Sequence, residues 1–143
     1  LKTFDQYYHE QVKTIFNTVS HELINQKDKT FAISEIVFFE RWWRHQNEEK
    51  KEKFREVVKE GRVEFVGGGW TMNDEACTYY EDIIDQIQLG HEFIQKEFNI
   101  KPKVAWQLDP FGKKNKKKTF LKSRIAALKI VYCFKWALHR FSW

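Results

Sequence analysis

The chain has 143 residues, of which 42% are hydrophobic and 17% are aromatic. This length and composition are typical of one globular domain, and they exclude a disordered chain. No apolar run approaches the roughly 18–20 residues that cross a membrane, so no membrane span is expected. The net charge of +5 is unevenly distributed: residues 113–143 hold ten Lys/Arg and no acid, whereas residues 1–112 carry a net charge of −5.

The first predicted elements are a long helix and a strand. Apolar side chains recur at helical spacing over residues 3–26. Thr3 and Gln6 have the arrangement of a capping box, which predicts that this helix starts at Thr3. The nearly continuous apolar run Phe31–Phe39, interrupted only by Glu35, predicts a strand that is buried on both faces.

A second helix and a second strand follow. Asn47 is a suitable N-cap for a helix over Glu48–Glu60, and Gly61 is a suitable residue to end it. Val63–Val66 predicts a short strand that leads into three consecutive glycines.

The third helix and the third strand complete the pattern. Thr78 and Glu81 predict a second capping box, which opens a helix that continues to about Phe98. The apolar run Val104–Leu108 then predicts a strand, and it ends in Asp109.

Helices and strands thus alternate along the chain, which is typical of an α/β fold whose parallel strands are joined by helical crossovers. Ligands in such folds bind beyond the carboxyl ends of the strands. This rule selects residues 39–43, 67–74 and 109–112 as candidate ligand-binding segments.

Asp109 is the first candidate for chemistry, because it follows a buried strand on a turn shaped by Pro110 and Gly112. A carboxylate in this place suits a nucleophile, a general base or a metal ligand. The residue types alone slightly favour the alternative, an Asx-type turn before proline.

The glycine-rich segment Gly67–Gly69 is not a phosphate-binding loop, since it lacks the Lys-Ser/Thr pair that reaches phosphate and metal. Its glycines indicate that the backbone lies close to a ligand or to a neighbouring strand. Asp74 and Glu75 follow, and they suit either catalytic carboxylates or acids at the start of the next helix.

The pair Trp42–Trp43, flanked by Arg41 and Arg44, suits either stacking on a sugar or base, or one buried and one rim tryptophan. The more common arrangement is the second. The basic cluster Lys113–Lys118 suits nucleic acid in principle. A solvated end is the favoured interpretation, and no nucleic-acid partner is expected. The five histidines show no metal-ligand spacing.

Four segments in order resemble glycoside hydrolase family 38, the α-mannosidases of lysosome and Golgi. They are residues 1–8, 38–43, 68–76 and 104–112, and Met72-Asn73-Asp74 is more similar to the lysosomal branch. The resemblance covers residues 1–112. Residues 113–143 are unmatched, and we interpret them as a basic tail produced by an incorrect gene model, a frameshift or an intron read-through.

The resemblance implies a seven-stranded β/α barrel, of which three parallel strands would be present here, so that the barrel is incomplete. It implies retaining hydrolysis of α-mannoside glycans by an enzyme that contains Zn²⁺. Asp109 would be both nucleophile and zinc ligand, and Phe111 would line the sugar subsite. A lysosomal location is implied in the same way.

The resemblance also implies residues that this sequence does not match. The family's His-x-His-x-Asp zinc motif lies immediately before the segment matching Leu1, and its acid/base aspartate and last zinc-binding histidine lie well beyond Gly112. We therefore expect the 143 residues to be inactive alone. The alternative function is a carbohydrate-binding or basic-tailed interaction protein.

Overall fold

A computed structural model describes residues 1–72, 79–105 and 129–130 of the chain, and it shows a mixed α/β structure. A π-helical turn, Tyr8–Val12, joins the first two helices. The elements in chain order are α1 (Phe4–Tyr7), α2 (Lys13–Asn25), β1 (Phe31–Ile33), α3 (Ile36–Arg44), α4 (Glu48–Lys59), β2 (Val63–Phe65), α5 (Tyr80–Phe98), β3 (Val104–Ala105) and β4 (Lys129–Ile130).

The strands pair in parallel, in the order of the sequence. β1 pairs with β2 in the register Phe31↔Val63, and β3 pairs with β4. An isolated parallel bridge between Val66 and Val104 connects β2 to β3. The predicted α/β fold with parallel strands is therefore confirmed, whereas a seven-stranded barrel is not seen among the described residues. No helix in the described part of the chain is long and apolar enough to cross a membrane.

The helix starts that rest on local signals are confirmed. The Thr3 hydroxyl accepts the Gln6 N–H and the Gln6 side chain accepts the Thr3 N–H, which completes the capping box. Asn47 caps α4 by accepting the Lys50 N–H at 2.9 Å. Gly61 follows α4 with a φ of 74°, a conformation that favours glycine.

The strand predicted over Phe31–Phe39 is wrong beyond Ile33. The second half of this run is helix α3, and its buried residues Ile36, Phe39 and Trp43 recur at helical spacing. A continuous apolar run does not distinguish a buried strand from a buried helix. The spacing of the largest side chains was the signal that distinguishes them here.

The second predicted capping box, Thr78 with Glu81, stays a prediction, because Thr78 lies outside the described residues. Helix α5 begins at Tyr80, and its N-cap residue Tyr79 makes no side-chain capping hydrogen bond to the described residues. The predicted end of the helix at Phe98 is confirmed, as is the start of the third strand at Val104.

The core lies where α2, α3, α4 and α5 pack together on the sheet, and it is rich in aromatic rings. Phe39 is fully buried at its centre. Among the described residues its ring centroid lies 5.6–6.2 Å from those of seven aromatic side chains: Phe16, Trp42, Trp43, Phe54, Phe65, Phe93 and Phe98.

Candidate active site at the carboxyl edge of the sheet

The carboxyl ends of β1, β2 and β3 meet at one edge of the parallel sheet, which is where ligands bind in such folds. Glu35 follows β1, and the segment Gly67–Met72, called here the glycine-rich loop, follows β2. Asp109 and Phe111, the predicted zinc-binding nucleophile and sugar-subsite residue, lie outside the described residues. The same is true of Asp74 and Glu75, the other candidate carboxylates.

The glycine-rich loop turns sharply as it leaves β2, because Gly67 and Gly68 have φ values of 71° and 67°. These positive angles strain any residue other than glycine. The Gly67 N–H donates to the carbonyl of Val104 at 2.6 Å and so connects the loop to β3.

The first N–H groups of α3 are capped by this loop. Ile36 N–H donates to the Gly69 carbonyl at 3.1 Å, and Val37 N–H donates to the Trp70 carbonyl at 3.0 Å. Glu35, the N-cap residue, makes no side-chain capping bond in the described part of the chain. Loop carbonyls thus take the place that a capping side chain usually occupies.

Helix α5 lies against the other side of the loop. A Cβ atom added at Gly90 would overlap the Gly68 carbonyl oxygen and lie 2.8 Å from the Gly69 carbonyl carbon. One added at Gly68 would lie 2.5 Å from Cγ of Pro102. The glycines therefore allow a close approach of the backbone, as predicted, and the neighbours are helix α5 and Pro102 as well as strand β3.

Three side chains bind the backbone of the loop. His91 Nε2 lies 2.9 Å from the Gly67 carbonyl oxygen. Gln86 Oε1 accepts the Thr71 N–H at 3.1 Å, and Glu35 accepts the Met72 N–H at 3.4 Å.

The sequence interpretation missed these roles, although it noted that Glu35 interrupts an apolar run. The signal on α5 is the pairing of a polar residue, Gln86, with a glycine one turn later, Gly90, on a face that also buries Ile83 and Ile94. A polar residue on an apolar helix face needs a hydrogen-bond partner.

Trp42 and Trp43 do not belong to the site. Both are buried, so neither the stacking interpretation nor the prediction of one rim tryptophan is correct. Trp42 Nε1 donates to Asn17 Oδ1 at 2.9 Å, and Trp43 Nε1 donates to Glu97 Oε2 at 2.9 Å. These two rings are parts of the core, and their polar atoms are satisfied within it.

A cation–aromatic cluster lies beside the core, between α1 and α3. The Arg41 guanidinium lies 4.6 Å from the ring centroid of Tyr8 and 5.1 Å from that of Phe4, and it forms an ion pair with Asp5. Burial raises the pKa of the Tyr8 hydroxyl, and the positive charge of Arg41 partly opposes this shift.

A zinc site is not formed by the described residues alone. Residues 1–72, 79–105 and 129–130 contain no group of three or more His, Cys, Asp or Glu side chains that could hold a metal ion. His9 and His21 are exposed, whereas His91 is half-buried against the glycine-rich loop. Asp109, the predicted ligand, is not among these residues.

Comparison with known proteins identifies relatives of the chain. The Glycosyl hydrolases family 38 N-terminal domain matches residues 1–127. Alpha-mannosidase C of Dictyostelium discoideum is 48% identical over 112 residues, 78% of this chain and 10% of that protein. Alpha-mannosidase of Canavalia ensiformis is 44% identical over 120 residues, and lysosomal alpha-mannosidase of Mus musculus is 43% identical over 122 residues. Each of these two alignments covers 78% of this chain and 12% of the relative, so the chain spans about a tenth of the length of its relatives.

Proposed function

The chain belongs to glycosyl hydrolase family 38, and we propose from this membership that it forms part of the catalytic domain of a zinc-dependent, retaining α-mannosidase. The structural observation that supports this proposal is the parallel sheet. Strand β3 begins the segment that runs to Asp109, and it lies beside the glycine-rich loop that follows β2. Asp109 is four residues beyond the last residue of β3, so we propose that it lies at the same edge.

The proposed chemistry assigns the nucleophile to Asp109. Its carboxylate attacks the anomeric carbon of an α-linked mannose while a second carboxyl group protonates the departing glycosidic oxygen. Water then displaces the carboxylate, and the freed second carboxylate takes the proton of that water, so stereochemistry is retained. Phe111 is proposed to line the sugar subsite.

Zinc is proposed as the metal of the intact site, with Asp109 as one of its ligands. When bound, zinc orients oxygen ligands and stabilises negative charge. The described residues supply no such ligand set, so the proposal for zinc depends on family membership and on Asp109.

Two finer proposals depend on the same relatives. We propose that the four parallel strands are part of a seven-stranded β/α barrel, because their order and direction suit such a sheet. We propose a lysosomal location, because one relative at 43% identity is a lysosomal alpha-mannosidase. Nothing among the described residues favours a basic-tailed interaction protein instead.

The test is a hybrid enzyme, in which the 112 residues of this chain that align with Alpha-mannosidase C replace their counterparts in that protein. We expect hydrolysis of a chromogenic α-mannoside that is lost when zinc is removed by a chelator and restored when zinc is added. Asp109→Asn in the hybrid should abolish turnover, because an amide is not a nucleophile here and is a poorer zinc ligand.

The matched control is Asp82→Asn, which removes an exposed carboxylate on α5. This variant should keep the activity of the unmodified hybrid. Near-normal turnover in Asp109→Asn would contradict the assignment of the nucleophile. A well-folded hybrid that hydrolyses no α-mannoside would contradict the proposed function as a whole.

A further inference from the structure

We infer that Gln86 is a positioning residue for the active site, and that it acts through the glycine-rich loop. The inference rests on the proposed function, because the loop must border a reacting centre for its position to matter. Gln86 does not itself contact a substrate in this proposal. Its role is to set the distance between helix α5 and the loop.

The geometry that supports this inference is a two-point attachment. The backbone carbonyl of Gln86 accepts the Trp70 N–H at 2.9 Å, and its side-chain Oε1 accepts the neighbouring Thr71 N–H at 3.1 Å. One residue of a rigid helix thus binds two consecutive amides of the loop. Two hydrogen bonds to adjacent groups fix an orientation as well as a distance.

The space around this attachment leaves no room for additional atoms. A Cβ added at Gly69 would lie 2.5 Å from Gln86 Oε1, and one added at Gly90 would overlap the Gly68 carbonyl. The glycines allow the loop to pack closely against α5, and the Gln86 side chain sets the distance between them. Atoms in such close packing leave little freedom for the loop to shift.

The two polar atoms of the Gln86 side chain differ in their contacts. Oε1 accepts the Thr71 N–H, whereas Nε2 is buried and has no hydrogen-bond partner among the described residues. The bond to the loop is therefore made through the acceptor oxygen, and a variant that removes this oxygen tests it.

The loop connects this attachment to the proposed active site. Gly67 N–H donates to the Val104 carbonyl on β3, the strand that leads towards Asp109. On its other side the loop binds the first N–H groups of α3, Ile36 and Val37, so it joins the elements at the carboxyl edge of the sheet. A misplacement of reacting groups by about 1 Å costs up to roughly 10²-fold in rate, because the groups lose their alignment.

The first test measures the attachment in the full 143-residue chain. Gln86→Met keeps the length of the side chain and removes both polar atoms. Gln88→Met is the matched control, because Gln88 is exposed on the same helix and binds only Glu92 in the described structure. We expect amide exchange at Thr71 to accelerate about fivefold or more in Gln86→Met. Exchange at Val57 in α4 should stay unchanged, and Gln88→Met should change neither amide.

The second test measures the consequence for catalysis in the hybrid enzyme. Gln86→Met should lower kcat about tenfold or more, with a much smaller change in KM and an unchanged melting temperature. Gln86→Glu, which keeps an acceptor oxygen, should recover a large part of kcat at acidic pH, where the carboxyl group is protonated and resembles the amide.

The two tests separate the possible failures. Unchanged Thr71 exchange in Gln86→Met overturns the attachment. A loss of kcat that merely follows the unfolded fraction, with no recovery in Gln86→Glu, overturns the positioning role and leaves a structural one. If the unmodified hybrid is inactive, the proposed function fails and the catalytic role of Gln86 fails with it, whereas accelerated Thr71 exchange would still support the attachment.

Discussion

The aromatic core and the glycine-rich loop are built by different forces, although α3 and α5 contribute to both. In the core, rings surround Phe39 and exclude water from it. At the loop, backbone amides and carbonyls meet side chains and helix ends at hydrogen-bonding distance. The core depends on apolar area and volume, whereas the loop depends on the position of individual atoms.

This difference explains where the chain tolerates change. Packing attraction is not directional, so a core accepts rearrangement when its total volume is kept. A hydrogen bond weakens steeply when its angle falls, and a Cβ atom added at Gly68 or Gly69 would lie 2.5 Å from the nearest neighbouring atom. Deleting a large side chain should therefore destabilise the protein most in the aromatic core. Adding a single methyl group should destabilise it most at the glycine-rich loop.

The largest expected effect is in the core. Phe39→Ala should lower the free energy of unfolding by about 3–5 kcal/mol, because it removes a fully buried ring and leaves a cavity among seven aromatic neighbours. Urea denaturation measures this loss. Ile15→Ala, at a position on α2 that is 50% exposed, should change stability by only about 0.5 kcal/mol.

The next-largest expected effect is where α5 packs against the glycine-rich loop. Whether the substitution stabilises or destabilises the protein tests this packing. Alanine in place of a helical glycine usually stabilises a protein by about 0.5–1 kcal/mol. Gly90→Ala should instead destabilise by about 1–3 kcal/mol, because its methyl group would overlap the Gly68 carbonyl. Thermal unfolding with amide exchange across residues 67–72 measures both the loss and its location. A stabilised Gly90→Ala variant would show that the loop does not lie against α5.

The same comparison shows what the sequence could predict. Helix α4 was predictable because its signals are local: Asn47 lies three residues from the amide that it caps, and Gly61 ends the helix with its own backbone angle. The parallel sheet followed from the alternation of elements. The start of the third strand at Val104 was predictable from the apolar run, whereas the position of Asp109 after that strand stays a prediction, because Asp109 lies outside the described residues.

The attachment of the loop was not predictable, because Gln86 and Thr71 are fifteen residues apart and their contact exists only in the folded chain. Helix α3 was missed for a related reason. Its apolar run is compatible with a strand. The helical spacing of its largest side chains was the local signal, and the packing of Phe39 and Trp42 against rings from distant segments, which the sequence does not show, makes that spacing decisive. The burial of Trp43 likewise depends on Glu97, which accepts its N–H.

The hydrogen bond from Trp43 to Glu97 leads to a prediction with a smaller expected effect, which tests whether the core also depends on hydrogen bonds. Glu97 accepts hydrogen bonds from Trp43 Nε1 and from Arg55, so Glu97→Ala leaves a buried indole N–H without an acceptor. We expect a loss of about 1–3 kcal/mol in urea denaturation. Glu92→Ala, on the exposed side of the same helix, is the control and should cost less than about 0.5 kcal/mol. Equal losses in the two variants would contradict the role of the Trp43 bond.

The smallest expected effect is on the surface, where neither apolar volume nor atomic fit matters. Glu49 and Lys53 form an exposed ion pair of 2.6 Å along α4, and the hydrogen bond from Lys53 lowers the pKa of the Glu49 carboxyl. A carboxyl group whose pKa is lower in the folded state stabilises the fold above its unfolded pKa, and this contribution disappears as the pH falls through the folded pKa. The stability difference between the protein and Glu49→Gln should thus be constant above about pH 5.5 and shrink below about pH 4. Lys53→Met should give the same profile, the double variant should add nothing, and 1 M salt should reduce the difference. A difference that stays constant down to pH 2 would mean that the pair does not contribute through its charge.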